Sequence, residues 1–589
     1  MRTLFAITLA VSVTASAQQK SLPDGYWTEA QSNAVLAKTE TIRLDADLSR
    51  LTDPERAALK DLLAAGAIMQ KLYEVSRHPD ALPAYQELRK LYSETGGSKQ
   101  ADNLLQLYRL NQGPIAQTLD NKREPFLPVA AQAPGRNVYP TDVTREELDK
   151  YLAAHPDQRD ELLDPRTLVR RATKSNLDRD IQVLNTFAVL RELHPMLLAK
   201  WKPMQYTADG TTFYAVPYAI AYADDLVSAF RLLTRAASTL EPSDAEFARY
   251  LRNRARDLIT NDYESGDASW ITGRFKHLNA QIGSYETYDD ALYGVKAFHS
   301  FSLLLEDEKA TGEVRRQLGG IQAIEDALPY EQHKRVREDI PVGVYDVIAD
   351  FGQARGTNSA TNLPNDPLMS RRYGRIILLR RNILTNPSIV AASQRIFRAA
   401  VVDANANDLG PNGDAQRTLW HEIGHYLGPD RDKSGRTIDA ALEEFSDATE
   451  EMKADLVSLY ALQRMNVPDL RAIQAAGIRR VLLNIRPRAD QPYQFMELVQ
   501  FNWFLDKGLL TADPKTARLT IHYDRYADAV TSLLHEVLAL QANGDKAAAA
   551  AFYARWTQWT PELHEKLAAR VRDAQGARFR IVKYAALGE

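Results

Sequence analysis

Cysteine is absent from this 589-residue chain, so no disulfide can brace it and no lipid can be attached through a thiol near its start. No long basic run occurs, and the formal charge of −4 is small for the length, which leaves no electrostatic footprint for a nucleic-acid backbone. Beyond the first residues there is no long apolar segment, so the mature chain is not expected to insert stably in a membrane. Internal repeats and low-complexity tracts are missing too. What is there is 45% hydrophobic and 25% charged, the balance of an ordinary globular protein, at a length too great for one core.

The opening "MRTLFAITLAVSVTASAQQK" has Arg2, an apolar run from Leu4 to Val13 and the small-x-small exit Ala15-Ser16-Ala17. This is the layout of a signal peptide over residues 1–17, and it predicts export to a bacterial periplasm. Residues 18–135 read as an N-terminal helical region; in "LTDPERAALKDLLAAGAIMQKLYEVSRHP" the helix is capped by Thr52 or Asp53 before Pro54. Residues 136–385 read as a mixed α/β region, with β-rich runs "TTFYAVPYAIAY", "VGVYDVIADFG" and "GRIILLRRNIL". Residues 386–589 return to helical periodicity. The expected class is mainly α with a smaller β-containing part, that is α+β.

The last region contains "TLWHEIGHYLGP". On a helix, four residues turn the chain by about 400° and advance it about 6 Å, so His421 and His425 share one face and can grip one ion. Glu422 follows the first histidine, where its carboxylate can reach a water on that ion without being a primary ligand, the position of a general base. Gly428-Pro429 is the expected helix stop. The other nine of the 11 histidines show no ligand spacing and read as structural.

Tetrahedral zinc needs a third protein ligand and an open position. Downstream, "LEEFSDATEEMKADLVSLYAL" is a second helix with Glu451 and Asp455 four apart on one face. Glu451 would complete a His-His-Glu site, and Asp455 could take the other ring N–H of a ligand histidine and fix its tautomer. Taken alone, Glu450, Glu451 and Asp455 are also readable as a solvated acidic face, and Glu443 and Glu444 are rival ligands, although neither has a carboxylate four residues on.

The pair "HEIGH" and "EEMKAD", with "GSYETYDDALYGVKAFHSF" and "GTNSATNLPND" in the same order along residues 280 to 510, resembles the dipeptidyl peptidase III family, peptidase family M49. The resemblance implies a two-lobed zinc metallopeptidase of the glutamate-ligand type with one Zn2+ per chain. It selects Glu451 over Glu450 as the ligand, gives Tyr288 the task of polarising the scissile carbonyl, and has Glu286, Asn362 and Asn365 hold the free N-terminus of a short peptide. Without the resemblance, Tyr285, Tyr288 and Tyr293 read as aromatics of a strand, and the two asparagines as turn formers around Pro364. Two departures mark a divergent branch. The histidines are separated by the ordinary H-E-x-x-H spacing where the family usually has one more residue, and no histidine lies between His425 and His522, where the family places one. Tyr493 stands near that place and could serve as a donor in the substrate cleft.

The resulting expectation is a peptidase that removes dipeptides from peptide N-termini using zinc-activated water and Glu422. The alternatives are a zinc-dependent hydrolase of a non-peptide amide, or a zinc-containing peptide-binding protein without turnover.

Overall fold

The computed structural model describes residues 22–133, 135–337, 340–364, 367–465, 467–488 and 491–589. The expected signal peptide and Asn365 lie outside these residues. The protein is mainly helical with a smaller sheet part, in two lobes. Helix α1 (Asp53–Arg77) begins at Thr52, whose N–H and hydroxyl both donate to the Glu55 carboxylate at 2.7 and 2.8 Å, and it buries Ala58, Leu62, Ala65, Met69 and Leu72 along one stripe. α2 (Ala223–Leu240) packs against α1 and against α3 (Ala245–Thr260).

A five-stranded sheet lies at the centre: β1 (Leu278–Ser284), β2 (His299–Glu306), β3 (Val342–Gly352), β4 (Ala360–Leu363) and β5 (Ile376–Arg380), in the order β1-β2-β3-β5-β4. Only the β3/β5 pair is parallel. Strands β1, β2, β3 and β5 are buried at every residue, and in β3 and β5 the covering of both faces shows as a largely apolar sequence. Val347, Ala349 and Phe351 of β3 belong to the first core, with α1 to α3, whereas Val342 and Val344 belong to the second. That second core is built by α4 (Gly413–Gly424), α5 (Ser446–Arg464), α6 (Leu470–Arg480), α7 (Pro492–Asp506) and α8 (Tyr526–Asn543).

Two features differ from the local sequence pattern. Within the N-terminal helical stretch, Thr39–Leu44 is a strand, because it pairs in parallel with Phe579–Tyr584 more than five hundred residues away. Periodicity within one window carries no trace of such a partner. In addition, α4 ends at Gly424, one turn before the expected Gly428-Pro429 stop.

The two layers of the first core touch closely at Gly66 of α1, where a Cβ would fall 2.3 Å from the Phe351 ring of β3. Gly66→Val is therefore expected to destabilise the protein by about 2–3 kcal/mol, because overpacking against the Phe351 ring outweighs the better helix propensity of valine. The denaturant midpoint reads this directly, and an unchanged midpoint would contradict the close approach.

Candidate metal centre

Helices α4 and α5 cross with their backbones nearly touching. A Cβ on Gly424 would lie 2.6 Å from the Ala454 carbonyl oxygen, so glycine is what lets the two helices approach this closely. The crossing brings the side chains just before and after it together. His421 Nε2 lies 3.2 Å from Glu451 Oε2 and His425 Nε2 lies 3.9 Å from the same oxygen. One ligand atom from each of the three residues falls within 4.8 Å of the others, and among the described residues this is the one such cluster.

The outward nitrogen of each imidazole is engaged. His421 Nδ1 donates to Asp455 Oδ1 at 2.7 Å, and Asp455 also accepts from Arg417 Nη1 at 2.7 Å. His425 Nδ1 donates to Glu450 Oε1 at 2.9 Å; the same carboxylate takes Lys453 Nζ at 2.8 Å and Gln541 Nε2 at 3.0 Å. Both rings are thereby oriented with Nε2 toward Glu451, the nitrogen a cation would take in exchange for any proton it carries. Glu451 Oε2 is buried and accepts no hydrogen bond. A buried carboxylate oxygen without a donor, facing two imidazole nitrogens, is costly by itself and suits a divalent cation. Two nitrogens and one carboxylate oxygen make a donor set that fits zinc with a position left open.

The charges agree with the geometry. Burial opposes charge on His421, but the Asp455 carboxylate prevails and pulls its pKa up to about 9 in the metal-free protein. Burial likewise opposes ionisation of Asp455, yet Arg417 and His421 hold it well below the usual carboxylate range. Glu450 is held below that range against its own burial by Lys453 and His425. Carboxylates that stay ionised are what the cluster needs in order to hold a cation.

Lys453 explains the early end of α4. Its buried ammonium donates to the carbonyls of Gly424 at 3.0 Å and Leu427 at 2.8 Å, while the Gly428 N–H donates to Glu325 Oε2 at 2.8 Å. The last turn is satisfied from outside and tightens into i to i+3 bonds, and His425 keeps helical angles as the C-cap. Read from the sequence, Glu450 is the carboxylate passed over in favour of Glu451, and the support that it and Lys453 give to His425 emerges only from the structure. Their three-residue spacing in "EEMKAD" was the available signal. The rival carboxylates Glu443 and Glu444 both pair with Lys546 at 2.8 Å on the surface.

The remaining candidates lie around this cluster. Glu422, half-buried on α4, places its charge against Tyr426 and Tyr493. Tyr493, at the start of α7, donates its hydroxyl to Glu451, and its ring packs under the Arg480 guanidinium at 5.5 Å; burial and the Glu451 charge push its pKa up. Tyr288 stands on the connection between β1 and β2, not on a strand, 77% exposed, with its hydroxyl bonded to Glu286 and in the neighbourhood of Tyr493. Asn362 lies on β4, not in a turn, and its Oδ1 accepts from the Tyr426 hydroxyl at 3.4 Å, next to His425 in sequence.

No protein-family model matches the chain. A curated plant protein, Nudix hydrolase 3 of Arabidopsis thaliana, is 23% identical over 568 residues, a match covering 89% of this chain and 70% of that protein. Among solved structures, that of DPP III from Caldithrix abyssi superposes with a TM-score of 0.79 at 22% identity, covering 94% of this chain and 99% of that one. The structure of dipeptidyl-peptidase III from Corallococcus sp. strain EGB gives a TM-score of 0.74 at 24% identity, covering 96% and 98%. The chain thus has a two-lobed, mainly helical architecture shared with solved peptidases. Its fold is that of dipeptidyl peptidase III, as the resemblance in the motifs implied.

Glu451→Ala should abolish tight zinc binding, whereas Glu450→Ala, which releases the His425 ring but keeps all three donors, should weaken it about 10–100-fold. Metal content after dialysis against a graded chelator distinguishes the two; equal loss would remove the distinction between ligand and support.

Proposed function

We propose that this protein is a zinc-dependent peptidase that releases dipeptides from the N-terminus of short peptides. The observation that carries the reading is the unpartnered, buried Glu451 Oε2 facing two imidazole nitrogens whose other nitrogens are tied to carboxylates, set in a dipeptidyl peptidase III fold. His421, His425 and Glu451 would hold the ion, with Asp455 and Glu450 orienting the two rings. Zinc bound there supplies a Lewis acid and makes a water acidic enough to attack at neutral pH.

The chain's own groups then divide the work. Glu422 takes the proton of the attacking water as its oxygen bonds to the scissile carbonyl carbon, and returns a proton to the leaving amine as the C–N bond breaks. The Tyr288 hydroxyl leaves Glu286 and donates to the carbonyl oxygen as that oxygen becomes negative. Tyr493 keeps one Glu451 oxygen occupied, so the other remains directed at the histidines. Glu286, Asn362 and Asn365 offer a carboxylate and amide oxygens to the peptide's ammonium, fixing the cut two residues from the chain end. Peptide binding without turnover would leave Glu422 without a purpose, since binding needs no base. The plant relative's name and those of the two solved structures agree on hydrolysis, and the peptidase-like fold supports a peptide as the substrate. Residues 1–17 would direct the enzyme to the periplasm, and no helix among the described residues is long and apolar enough to cross a membrane.

Glu422→Gln should retain zinc and lose turnover by about 10²–10⁴-fold, because ligand and base are separate roles. Metal analysis alongside peptide hydrolysis checks this, and full turnover by the variant would sink the mechanism. N-acetylation of a peptide of five to eight residues should lower kcat/KM about thirtyfold to thousandfold, the equivalent of roughly 2–4 kcal/mol of lost charge-assisted hydrogen bonding. Glu286→Ala should be slow on free peptides and blind to the acetyl group. Mass analysis of products is decisive: equal cleavage of both peptides by the wild-type enzyme refutes the N-terminal pocket and leaves the zinc site standing.

A further inference from the structure

The connection between β1 and β2, residues 285–298, carries Glu286 and Tyr288 and has no helix or strand of its own. Its middle is built around a carboxylate. Asp290, 6% exposed, accepts the backbone N–H groups of Leu292 at 2.9 Å and Tyr293 at 3.2 Å on Oδ1. Its Oδ2 accepts those of Val295 at 3.0 Å and Lys296 at 2.9 Å, together with the Tyr139 hydroxyl at 2.7 Å. Successive amides pointing inward form a concavity suited to an anion, and here the segment's own side chain fills it.

The rest of the segment is pinned at both ends. Tyr285 donates to Asp267 at 2.6 Å, and the Lys296 ammonium, fully buried, donates to Leu162 O at 2.6 Å, Asp164 O at 2.8 Å and Thr167 Oγ1 at 2.7 Å. Asp289, directly after Tyr288, accepts the Tyr73 hydroxyl at 2.8 Å and Gln353 Nε2 at 3.0 Å. Tyr73 is on α1, and Tyr139 follows shortly after the N-terminal helices. Both phenols come from the first 140 residues, a part of the chain that contributes nothing to the metal cluster.

We propose that Asp290 and Tyr139 are positioning residues for the reaction assigned above. The internal anion and its phenol donor hold the segment in the one shape that presents Glu286 and Tyr288 toward the zinc side of the cleft, which gives the N-terminal part of the chain a place in catalysis without any contact with substrate. The inference rests on the peptidase reading. A segment of this length without regular structure would otherwise sample many conformations, and reacting groups must be held to about half an ångström to act together.

The test uses the zinc-loaded full-length protein and Tyr139→Phe, which removes one hydroxyl and keeps the ring, with Asp290→Asn as the stronger variant. Tyr139→Phe is expected to lower kcat/KM on free peptides about tenfold, mostly through KM, with zinc content unchanged. It should also narrow the preference for free over acetylated peptides and speed hydrogen exchange at the amides of residues 292–296 while α4 is unaffected. Combined with Glu286→Gln, the loss should fall well short of the product of the two single losses, because both variants act on one device. Unchanged kcat/KM and preference in Tyr139→Phe, or fully multiplicative losses in the double variant, overturn the proposal. A wild-type enzyme that loads zinc but cleaves no peptide overturns the peptidase reading itself, and Asp290 and Tyr139 then position nothing.

Discussion

The ammonium of Lys453 is the interaction on which the metal cluster depends. A buried cation is tolerable only if oxygens surround it, and Lys453 finds one carboxylate, Glu450, and the carbonyls of Gly424 and Leu427. Glu450 is on α5, Gly424 is the last residue of α4 and Leu427 lies in the turn just past it, so the charge ties both sides of the site together. Through Glu450 the charge fixes the His425 ring, and through the two carbonyls it ends α4 one residue before that histidine. Beside it the Gly424–Ala454 contact sets the separation of the helices. A single desolvated charge and one missing side chain therefore set the helix crossing and the His425 ring, while Asp455 orients His421 and Tyr493 holds Glu451.

How much of this could be read from the chain follows from the range of each interaction. His421, Glu422 and His425 lie within one helical turn, and Glu451 and Asp455 within another, so residue spacing alone puts each set on one face. The crossing that joins the two faces is a tertiary event, legible only as a glycine and an alanine at positions where nothing in the sequence demands small residues. Glu450 and Lys453 illustrate the same limit. Their spacing reads as an ordinary exposed pair, and only burial turns it into a support for His425. Asn362, Glu286 and Tyr288 had no local signal beyond turn and strand preferences, and it was resemblance that singled them out. The structure sets Asn362 against Tyr426 and couples Tyr288 to Glu286.

The sheet was legible in type and partly in extent. β3 and β5 announced themselves as apolar β-branched runs, because strands covered on both faces need no polar alternation. Thr39–Leu44 and Phe579–Tyr584 were invisible as a pair, since each is short and half-polar, and only the other strand completes its hydrogen bonds. Tyr493 is a different case. It was expected as a donor in the substrate cleft, and the structure directs its hydroxyl at the Glu451 carboxylate, a contact that nothing in the local sequence signals.

That distant strand pair also bears on how the molecule comes into being. Ile42 and Leu44 from one strand and Val582 and Tyr584 from the other are buried in the same core as α1 to α3 and β1 to β3. The lobe whose residues leave the ribosome first is thus completed by Phe579–Tyr584, whereas the candidate metal ligands His421, His425 and Glu451 are already synthesised well before that strand appears. Synthesis order and closure order are opposed: the first lobe waits half-finished for its final strand, with apolar surface exposed, for as long as the second lobe takes to be made.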